Sequence, residues 1–255
     1  MKRLANNEAA VFALAVQFLT RIPVPVGNAY TPARLAAAPR YYPLVGALIG
    51  GLCAVVYLFT HAALNPAVGV LLALAAGLLI TGAFHEDGLA DTFDGLGGTS
   101  RDQMLTIMRD SRIGTFGTAA LVLMLATKAA ALLGLHPGRV VTALVVAHGL
   151  SRLSAVLVIA TSRYVRDEGT GKPTAEGIGA LGIATAVLTG ALLLVGVALV
   201  HGPGAVVSAV AGALVGHVAM RALFERRLGG YTGDTLGAVQ QTSELGVYLG
   251  LLLWQ

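Results

Sequence analysis

Charged residues are scarce in this chain. Asp, Glu, Lys and Arg together make up 12% of its 255 residues, whereas soluble domains carry about 25%. Aromatic residues are also few, at 6%, although 56% of the residues are hydrophobic. A water-soluble fold of this composition would expose too much apolar surface. Small residues, including 33 glycines, are typical of helices that pack closely in lipid, so we predict an integral membrane protein with the lipid bilayer as its surroundings.

Cysteine is nearly absent, because Cys53 is the only one in the sequence. An intramolecular disulfide and a cysteine metal cluster are therefore both excluded. A formal net charge of +4 could indicate a nucleic-acid partner, but the basic residues are spread over short connections and not gathered on one face. We therefore expect no nucleic-acid partner and attribute the positive charge to membrane topology.

Long apolar runs predict an all-α, polytopic helical bundle. A spanning helix needs roughly 20 mainly apolar residues. About seven segments qualify: 43–64, 66–84, 113–135, 139–160, 178–200, 203–224 and 236–254. The apolar stretch 8–20 is shorter and ends at Arg21 and two prolines, so we interpret it as an interfacial or re-entrant helix. Residues 1–255 are expected to form a single membrane-embedded domain.

Four connections between these segments carry most of the basic residues. They hold, in chain order, Arg21, Arg34 and Arg40; Arg101, Arg109 and Arg112; Arg163, Arg166 and Lys172; and Arg221, Arg226 and Arg227. They alternate with connections that hold at most one basic residue, Arg139. Because short cytoplasmic loops collect Lys and Arg, we expect the four connections to share the cytoplasmic side of a multi-pass protein of the cell inner membrane.

Acidic residues cluster in the loop after the second predicted span. Six of the 13 acidic residues of the chain lie in this loop, namely Glu86, Asp87, Asp91, Asp94, Asp102 and Asp110. If residues 85–95 are helical, the spacing places Asp87, Asp91 and Asp94 on one face. These like charges repel one another, and a hard divalent cation would remove the repulsion. Magnesium typically binds one or two carboxylates together with substrate phosphates.

The predicted Mg²⁺ ligands are therefore Glu86, Asp87, Asp91 and Asp94. Asp110 is either a further ligand or the ion-pair partner of its arginine neighbours. The alternative for the whole loop is a solvated segment whose acids balance nearby arginines. Apolar residues such as Leu89, Ala90 and Phe93 alternate with the acids, which favours an embedded site.

Other polar residues are candidates for substrate contacts. Arg101, Arg109 and Arg112 offer donors that match phosphate, and with the carboxylates and nearby glycines they predict a phosphoryl-transfer site. Polar groups within spans are functional candidates by default. They are Lys128, His148, Arg152, His217, Gln240, Gln241 and Glu244. Arg152 either binds substrate phosphate or pairs with Glu244 on another helix.

Two further residues each have two interpretations. His85 either acts as a general base or has a structural role at a helix end. Asp234 lies in the glycine-rich segment 229–237. It either caps the last helix or adds a carboxylate to the site, and the surrounding glycines favour the second.

Five blocks of the sequence carry a specific resemblance. They are FLTRIPVP at 18–25, YPLVG at 42–46, the segment 85–98, MRDSRIGTFG at 108–117, and the segment 229–238 with Gln241. In this order, and over nearly the whole chain, they resemble the cobalamin synthase family, the integral membrane adenosylcobinamide-GDP ribazoletransferases.

The resemblance implies a reaction and roles. A hydroxyl of α-ribazole, or of its 5'-phosphate, would attack the cobinamide-linked phosphate of adenosylcobinamide-GDP, and GMP would leave. The catalytic candidates are Asp87, Asp91, Asp94 and His85, and the substrate-binding candidates are Arg109, Arg112, Arg152, Gly230, Thr232 and Asp234. A homo-oligomer, or a complex with other enzymes of nucleotide-loop assembly, is also expected.

Two rival functions remain open. The segment Asp91–Gly95 is similar to the opening of the CDP-alcohol phosphotransferase signature. That family continues with Ala-Arg after two residues and then two further aspartates, whereas this chain continues with Gly97 and Gly98 and lacks the Ala-Arg pair. An ion-coupled transporter would also have many spans, yet it should place its acids near the bilayer midplane. Here the acids lie in a basic loop, which favours chemistry at the membrane surface.

Overall fold

The computed structural model describes residues 2–166, 172–175 and 178–254. The regular structure in these ranges is helical, apart from one isolated bridge between Tyr164 and Tyr231. The helices are α1 (Lys2–Leu19), α2 (Pro32–Ala37), α3 (Tyr42–Ala63), α4 (Pro66–Thr81), α5 (Phe84–Gly95), α6 (Arg101–Ile107), α7 (Thr115–Gly134), α8 (Pro137–Thr161), α9 (Lys172–Ala175), α10 (Ala180–His201), α11 (Pro203–Leu228) and α12 (Gly233–Leu253). The predicted all-α class is confirmed.

Five helical segments are long and apolar enough to cross a bilayer. They are Pro32–Ala63, Thr115–Gly134, Pro137–Thr161, Ala180–His201 and Pro203–Leu228. Counting α4 and α5 as one broken span gives six, although these two helices are bent by 89°. In α1 only Asn7–Leu19 forms a shorter apolar helix, which agrees with the non-spanning interpretation.

Two of the predicted spans fall short of this criterion. Helix α4 has only 16 residues. Helix α12 has 21 residues but buries polar side chains, among them Gln240, Gln241 and Glu244. It packs against α5, α8 and α11. Its polar side chains therefore face other helices and not lipid, so these positions can be polar. Length and composition therefore support five or six spans instead of seven.

Small residues allow the helices to approach closely. A Cβ atom on Gly50 of α3 would overlap the Leu144 carbonyl of α8. Between α11 and α12, a Cβ on Gly212 would overlap the Gly246 carbonyl, and the reverse is also true. The glycine content of the sequence thus serves the helix packing that is expected in lipid.

Hydrogen bonds connect three of the four basic connections to one another, and the first connection packs beside them through the contact of α2 with α9. Arg101 Nε donates to the Leu228 carbonyl at 3.0 Å, and Arg101 Nη2 donates to the Val165 carbonyl at 3.3 Å. The backbone N–H of Arg21 donates to the Ile80 carbonyl at 2.7 Å, beside the start of α5. These contacts place the four connections at one end of the bundle, as their shared charge predicts.

Candidate active site

A sharp turn between α4 and α5 sets the position of the acidic helix. Gly82 and Ala83 both adopt left-handed backbone angles, with φ of 67° and 56°. Only glycine accepts this conformation at no steric cost, and for an L-residue such as Ala83 it costs about 1–2 kcal/mol. The turn directs α5 away from the axis of α4 by 89°, so α5 lies across the end of the bundle.

Glycines bring α5 against the start of α12. A Cβ on Gly88 would lie 2.7 Å from the Asp234 carbonyl oxygen, and one on Gly237 would lie 2.9 Å from the His85 carbonyl oxygen. Contacts this close exclude any side chain at these two positions. Asp234 is therefore held beside the acidic face of α5, which forms the helix predicted for residues 85–95.

A cleft of about 640 Å³ opens beside this helix. One wall is acidic and consists of Glu86, Asp87 and Asp91 from α5. The end of α1 contributes Gln17 and Arg21 to the same cleft. Carboxylates and a guanidinium therefore line one cavity at the end of the bundle that carries the basic connections.

The acidic wall contains carboxylates that lie close to one another without forming ion pairs in the described part of the chain. Neither Asp87 nor Asp91 belongs to any ion pair among the described residues. Burial, followed by repulsion from Asp234 and Asp87, raises the pKa of Asp91 to about 7. Glu86 accepts a hydrogen bond from Gln241 Nε2 at 2.9 Å through Oε1, while its buried Oε2 has no hydrogen-bond partner among the described residues.

This donor set fits a magnesium ion in its chemistry. The wall offers hard oxygen ligands and a repulsion that a cation would relieve. No group of three or more Asp, Glu, His or Cys side chains within the described ranges is arranged so that it could hold a metal by itself. Magnesium does not require such a cage, because it usually keeps several waters and completes its shell with substrate phosphates.

Asp94 lies away from the cleft, although it shares a helical stripe with Asp87 and Asp91. Its Oδ2 and Oδ1 accept hydrogen bonds from the backbone N–H groups of Gly114 and Gly117, each at 2.7 Å. These donors are at the start of α7, where a carboxylate satisfies otherwise unpaired N–H groups. Asp94 thus ties α5 to α7, and its role as a metal ligand stays a prediction.

Asp110 is engaged by its neighbour Arg112. The Arg112 backbone N–H donates to Asp110 Oδ1 at 3.0 Å, and Arg112 Nη2 lies 2.7 Å from Oδ2. These hydrogen bonds lower the pKa of Asp110 to about 2. Both residues are exposed and do not line the cleft, so the structure favours the ion-pair interpretation of Asp110 over that of a metal ligand.

Thr232, and not Asp234, caps α12. The Thr232 hydroxyl accepts from Thr235 N–H at 3.3 Å, and the Thr235 hydroxyl accepts from Thr232 N–H at 2.8 Å, which forms a capping box. The capping interpretation of Asp234 is therefore wrong. Asp234 instead pairs with Arg166, whose Nη2 lies 2.7 Å from Oδ2, and its negative charge reaches Asp91.

Gly230 has a role in backbone packing. Its φ is 158°, and a Cβ there would overlap the Arg163 carbonyl oxygen. The next residue, Tyr231, donates its N–H to that same oxygen at 2.8 Å. Neither Gly230 nor Thr232 lines the cleft. Direct substrate contacts by these residues stay a prediction, whereas their contacts explain how Asp234 is held in place.

The remaining candidates also lie outside the cleft, namely Arg109, Arg112, Arg152 and His85. Arg109 and Arg112 are exposed on the loop between α6 and α7. Arg152 is buried in α8, where Nη1 donates to the His148 carbonyl at 2.9 Å, and it lines a second, small cavity together with His85. Their proposed contacts with substrate are untested.

Glu244 forms its ion pair with Lys128 and not with Arg152, and His148 Nδ1 lies 3.7 Å from its other oxygen, Oε2. Lys128 Nζ lies 2.7 Å from Glu244 Oε1 and donates to Gln241 Oε1 at 2.7 Å. Gln240 Nε2 donates to Glu244 Oε2 at 2.6 Å. We call Lys128, Gln240, Gln241 and Glu244 the buried polar cluster. Through Gln241 it reaches Glu86 and fixes that side chain at the edge of the cleft.

Sequence reasoning gave no catalytic, substrate-binding or metal-binding role to three residues that the structure places at or next to the site: Arg21, Arg166 and Gln241. Arg166 carried no signal beyond its membership of a basic connection. Gln241 was named as a polar group within a predicted span and as part of the blocks that carry the resemblance. Arg21 had a signal, namely a guanidinium between the first apolar stretch and two prolines, but its place beside α5 depends on how α1 packs.

The chain matches known proteins over nearly its full length. The model of a family described as cobalamin-5-phosphate synthase matches residues 11–252. Proteins named adenosylcobinamide-GDP ribazoletransferase from Leptothrix cholodnii and Shewanella woodyi are each 44% identical to it, covering 96% and 97% of both chains respectively. A protein of the same name from Ralstonia nicotianae is 44% identical over 94% of both chains. No solved structure matches the chain.

Proposed function

Because the chain belongs to the cobalamin-5-phosphate synthase family, we propose that it is a membrane-embedded adenosylcobinamide-GDP ribazoletransferase. The acceptor would be α-ribazole or its 5'-phosphate, and the product adenosylcobalamin or its 5'-phosphate. The observation that carries the proposal is the cleft, where unpaired carboxylates of α5 face the same cavity as Arg21. Such a cavity suits a substrate that contains a diphosphate.

We further propose that the enzyme depends on Mg²⁺. Glu86, Asp87 and Asp91 would hold the ion, supported by the lack of any ion pair to Asp87 or Asp91 within the described residues and by the unpartnered Oε2 of Glu86. When bound, magnesium supplies charge neutralisation for a diphosphate and for the departing phosphate oxygen.

The reaction exchanges one phosphorus–oxygen bond for another. The acceptor hydroxyl oxygen forms a bond to the cobinamide-linked phosphorus, and the bond from that phosphorus to the bridging oxygen breaks. GMP leaves with the bonding electron pair. The hydroxyl proton passes to a carboxylate of the acidic wall, where Asp87 and Asp91 both line the cleft and have no ion-pair partner among the described side chains. Most of the rate then depends on positioning and electrostatic stabilisation.

We place the site on the cytoplasmic side of the cell inner membrane. Support comes from the basic connections that meet at the cleft end of the bundle. Protease added to intact cells should leave the 85–112 loop uncut, and should cut it in inverted vesicles. Cleavage in intact cells would contradict this orientation.

The activity is tested by measuring GMP release from purified protein in detergent. Adenosylcobinamide-GDP is supplied with α-ribazole or with its 5'-phosphate, with and without Mg²⁺. We expect GMP and a cobalamin product only with Mg²⁺. Asp91→Asn should reduce turnover by about 100- to 1000-fold, since a bound metal supplies several kcal/mol of charge stabilisation.

The matched control is Asp102→Asn in α6, because the Asp102 side chain is 90% exposed and lies outside the cleft. It should turn over as fast as the unaltered protein. An Asp91→Asn variant with full activity would contradict the role of the acidic wall. Turnover of a CDP-alcohol substrate alone would assign the chemistry to the rival transferase class, and substrate uptake into vesicles without turnover would favour the transporter.

A further inference from the structure

Arg21 is the basic residue that lines the cleft together with the acidic wall. Its side chain is exposed, and it belongs to none of the ion pairs among the described residues. A guanidinium that shares a cavity with three carboxylates would be expected to pair with one of them. No carboxylate oxygen of the described residues comes within ion-pair distance of Arg21, so the cleft leaves space between the guanidinium and the acidic wall.

The backbone around Arg21 is held firmly at this place. Its N–H donates to the Ile80 carbonyl at 2.7 Å, which joins the end of α1 to the end of α4. The preceding Thr20 hydroxyl donates to the Val16 carbonyl at 2.7 Å and accepts from the Ile22 N–H at 3.2 Å. Arg21 is therefore fixed at its backbone, while its guanidinium has no hydrogen-bond or ion-pair partner among the residues that the structure describes.

Gly82 provides the path for the side chain. A Cβ on Gly82 would overlap Arg21 Nε and would lie 3.0 Å from Arg21 Cγ. Any other residue would thus displace the guanidinium. Gly82 is also one of the two left-handed residues of the turn that aims α5. One glycine therefore positions both the acidic helix and the arginine that shares its cleft.

A second open cavity, of about 480 Å³, adjoins the first. It is lined by Gln17, Thr20 and Arg21, which also line the cleft, and by the segment 22–25. Arg21 thus stands where the two cavities meet. A molecule with a charged centre and a large group on each side would place its centre at this junction.

We propose that Arg21 binds the diphosphate of the nucleotide-activated substrate, opposite the carboxylates that hold the cation. The inference deepens the proposed function and rests on it. The planar guanidinium offers a fork of N–H donors that matches phosphate oxygens, and a lysine provides only a point charge. The nucleotide and the corrinoid then occupy the cavities on either side of Arg21.

The first test is steady-state kinetics of Arg21→Ala and Arg21→Lys in neutral detergent without anionic lipid. We expect Arg21→Ala to raise KM for adenosylcobinamide-GDP by about 10- to 100-fold, the range for a hydrogen bond to a charged group. The KM for α-ribazole should not change. Arg21→Lys should lie between Arg21→Ala and the unaltered protein.

The second test uses inorganic pyrophosphate as a competitive inhibitor. Its inhibition constant should rise in Arg21→Ala by a factor similar to that for KM. The control is Arg139→Ala. Arg139 lies at the start of α8 and does not line the cleft, and its Nη1 donates to the Trp254 carbonyl at 3.0 Å. This variant should keep both constants.

The outcomes separate the two levels of the proposal. If the unaltered protein does not convert adenosylcobinamide-GDP, the proposed function fails. If it does, and Arg21→Ala keeps the same KM and the same pyrophosphate constant, the role of Arg21 is overturned. A loss of kcat alone with unchanged pyrophosphate inhibition overturns it as well, because that pattern indicates a structural role. An effect that emerges only when anionic lipid is added would assign Arg21 to a lipid phosphate instead.

Discussion

The buried polar cluster and the acidic wall both contain carboxylates, but the partners of those carboxylates differ. In the cluster, Glu244 lies 2.7 Å from Lys128, and Gln240 donates to its other oxygen at 2.6 Å. In the wall, Asp87 and Asp91 have no ion-pair partner among the described residues. A fully paired group of charges fixes a conformation, whereas unpaired carboxylates that repel one another favour the arrival of a cation.

Glu86 belongs to both regions. Its Oε1 accepts a hydrogen bond from Gln241 in the cluster, and its Oε2 has no hydrogen-bond partner in the described part of the chain. The interior of the bundle therefore orients one carboxylate of the cleft. This difference between the regions predicts that changes in the cluster act on stability first, and changes in the wall act on activity first.

The largest effect is expected for Lys128→Met. It removes the lysine that pairs with the buried carboxylate of Glu244, and breaking a buried ion pair typically costs about 3–5 kcal/mol. The free energy of unfolding, measured in mixed detergent micelles, should fall accordingly. The double variant Lys128→Met with Glu244→Gln should recover part of the loss. Unchanged stability in the single variant would mean that the cluster does not depend on this ion pair.

A smaller effect on activity is expected for Gln241→Leu. Glu86 loses the donor that orients it, and the loss of such outer contacts to metal ligands typically lowers activity by about 10- to 100-fold. The apparent Mg²⁺ affinity, obtained from the dependence of GMP release on Mg²⁺ concentration, should fall by a similar factor. Thr242→Ala, one residue further along α12, is the control, because the Thr242 hydroxyl bonds only to backbone carbonyls in the described structure. Equal behaviour of both variants would disconnect the cluster from the cleft.

The smallest effect concerns pH and the metal-free protein. The pKa of Asp91 is raised from 3.8 to about 7 in the folded state, so between these values the folded protein binds more protons than the unfolded one. The contribution of Asp91 to the free energy of unfolding therefore falls as pH rises from about 4 to about 7. With chelator present, the melting temperature should decline more steeply over this range in the unaltered protein than in Asp91→Asn. Parallel curves would indicate that Asp91 is not perturbed.

Local patterns predicted part of the geometry of the candidate site. The spacing of Asp87 and Asp91 placed both on one face of a helix, and both line the cleft. Asp94 follows the same spacing, but it accepts two hydrogen bonds from α7 instead. Helical periodicity fixes the face on which a residue lies. It does not reveal which neighbouring helix will supply donors to that residue.

Pairing in the interior was beyond the reach of sequence patterns for the same reason. Both Lys128 and Arg152 are basic residues in apolar segments, and either could have paired with Glu244. Lys128 pairs with Glu244 because α7 and α12 pack together and bring the Lys128 and Glu244 side chains into contact. Arg152 instead bonds within its own helix, to His148.

Composition and spacing by themselves determined that the chain is a helical membrane protein, that its basic connections share one end, and that α5 carries an acidic face. The tertiary structure alone decided which charges stay unpaired. Asp94 accepts a hydrogen bond from Gly114, which is 20 residues away along the chain, and Glu86 accepts one from Gln241, which is 155 residues away. Charge pairing in a low-dielectric interior depends on distances of a few ångströms, and only the packing of the helices fixes such distances.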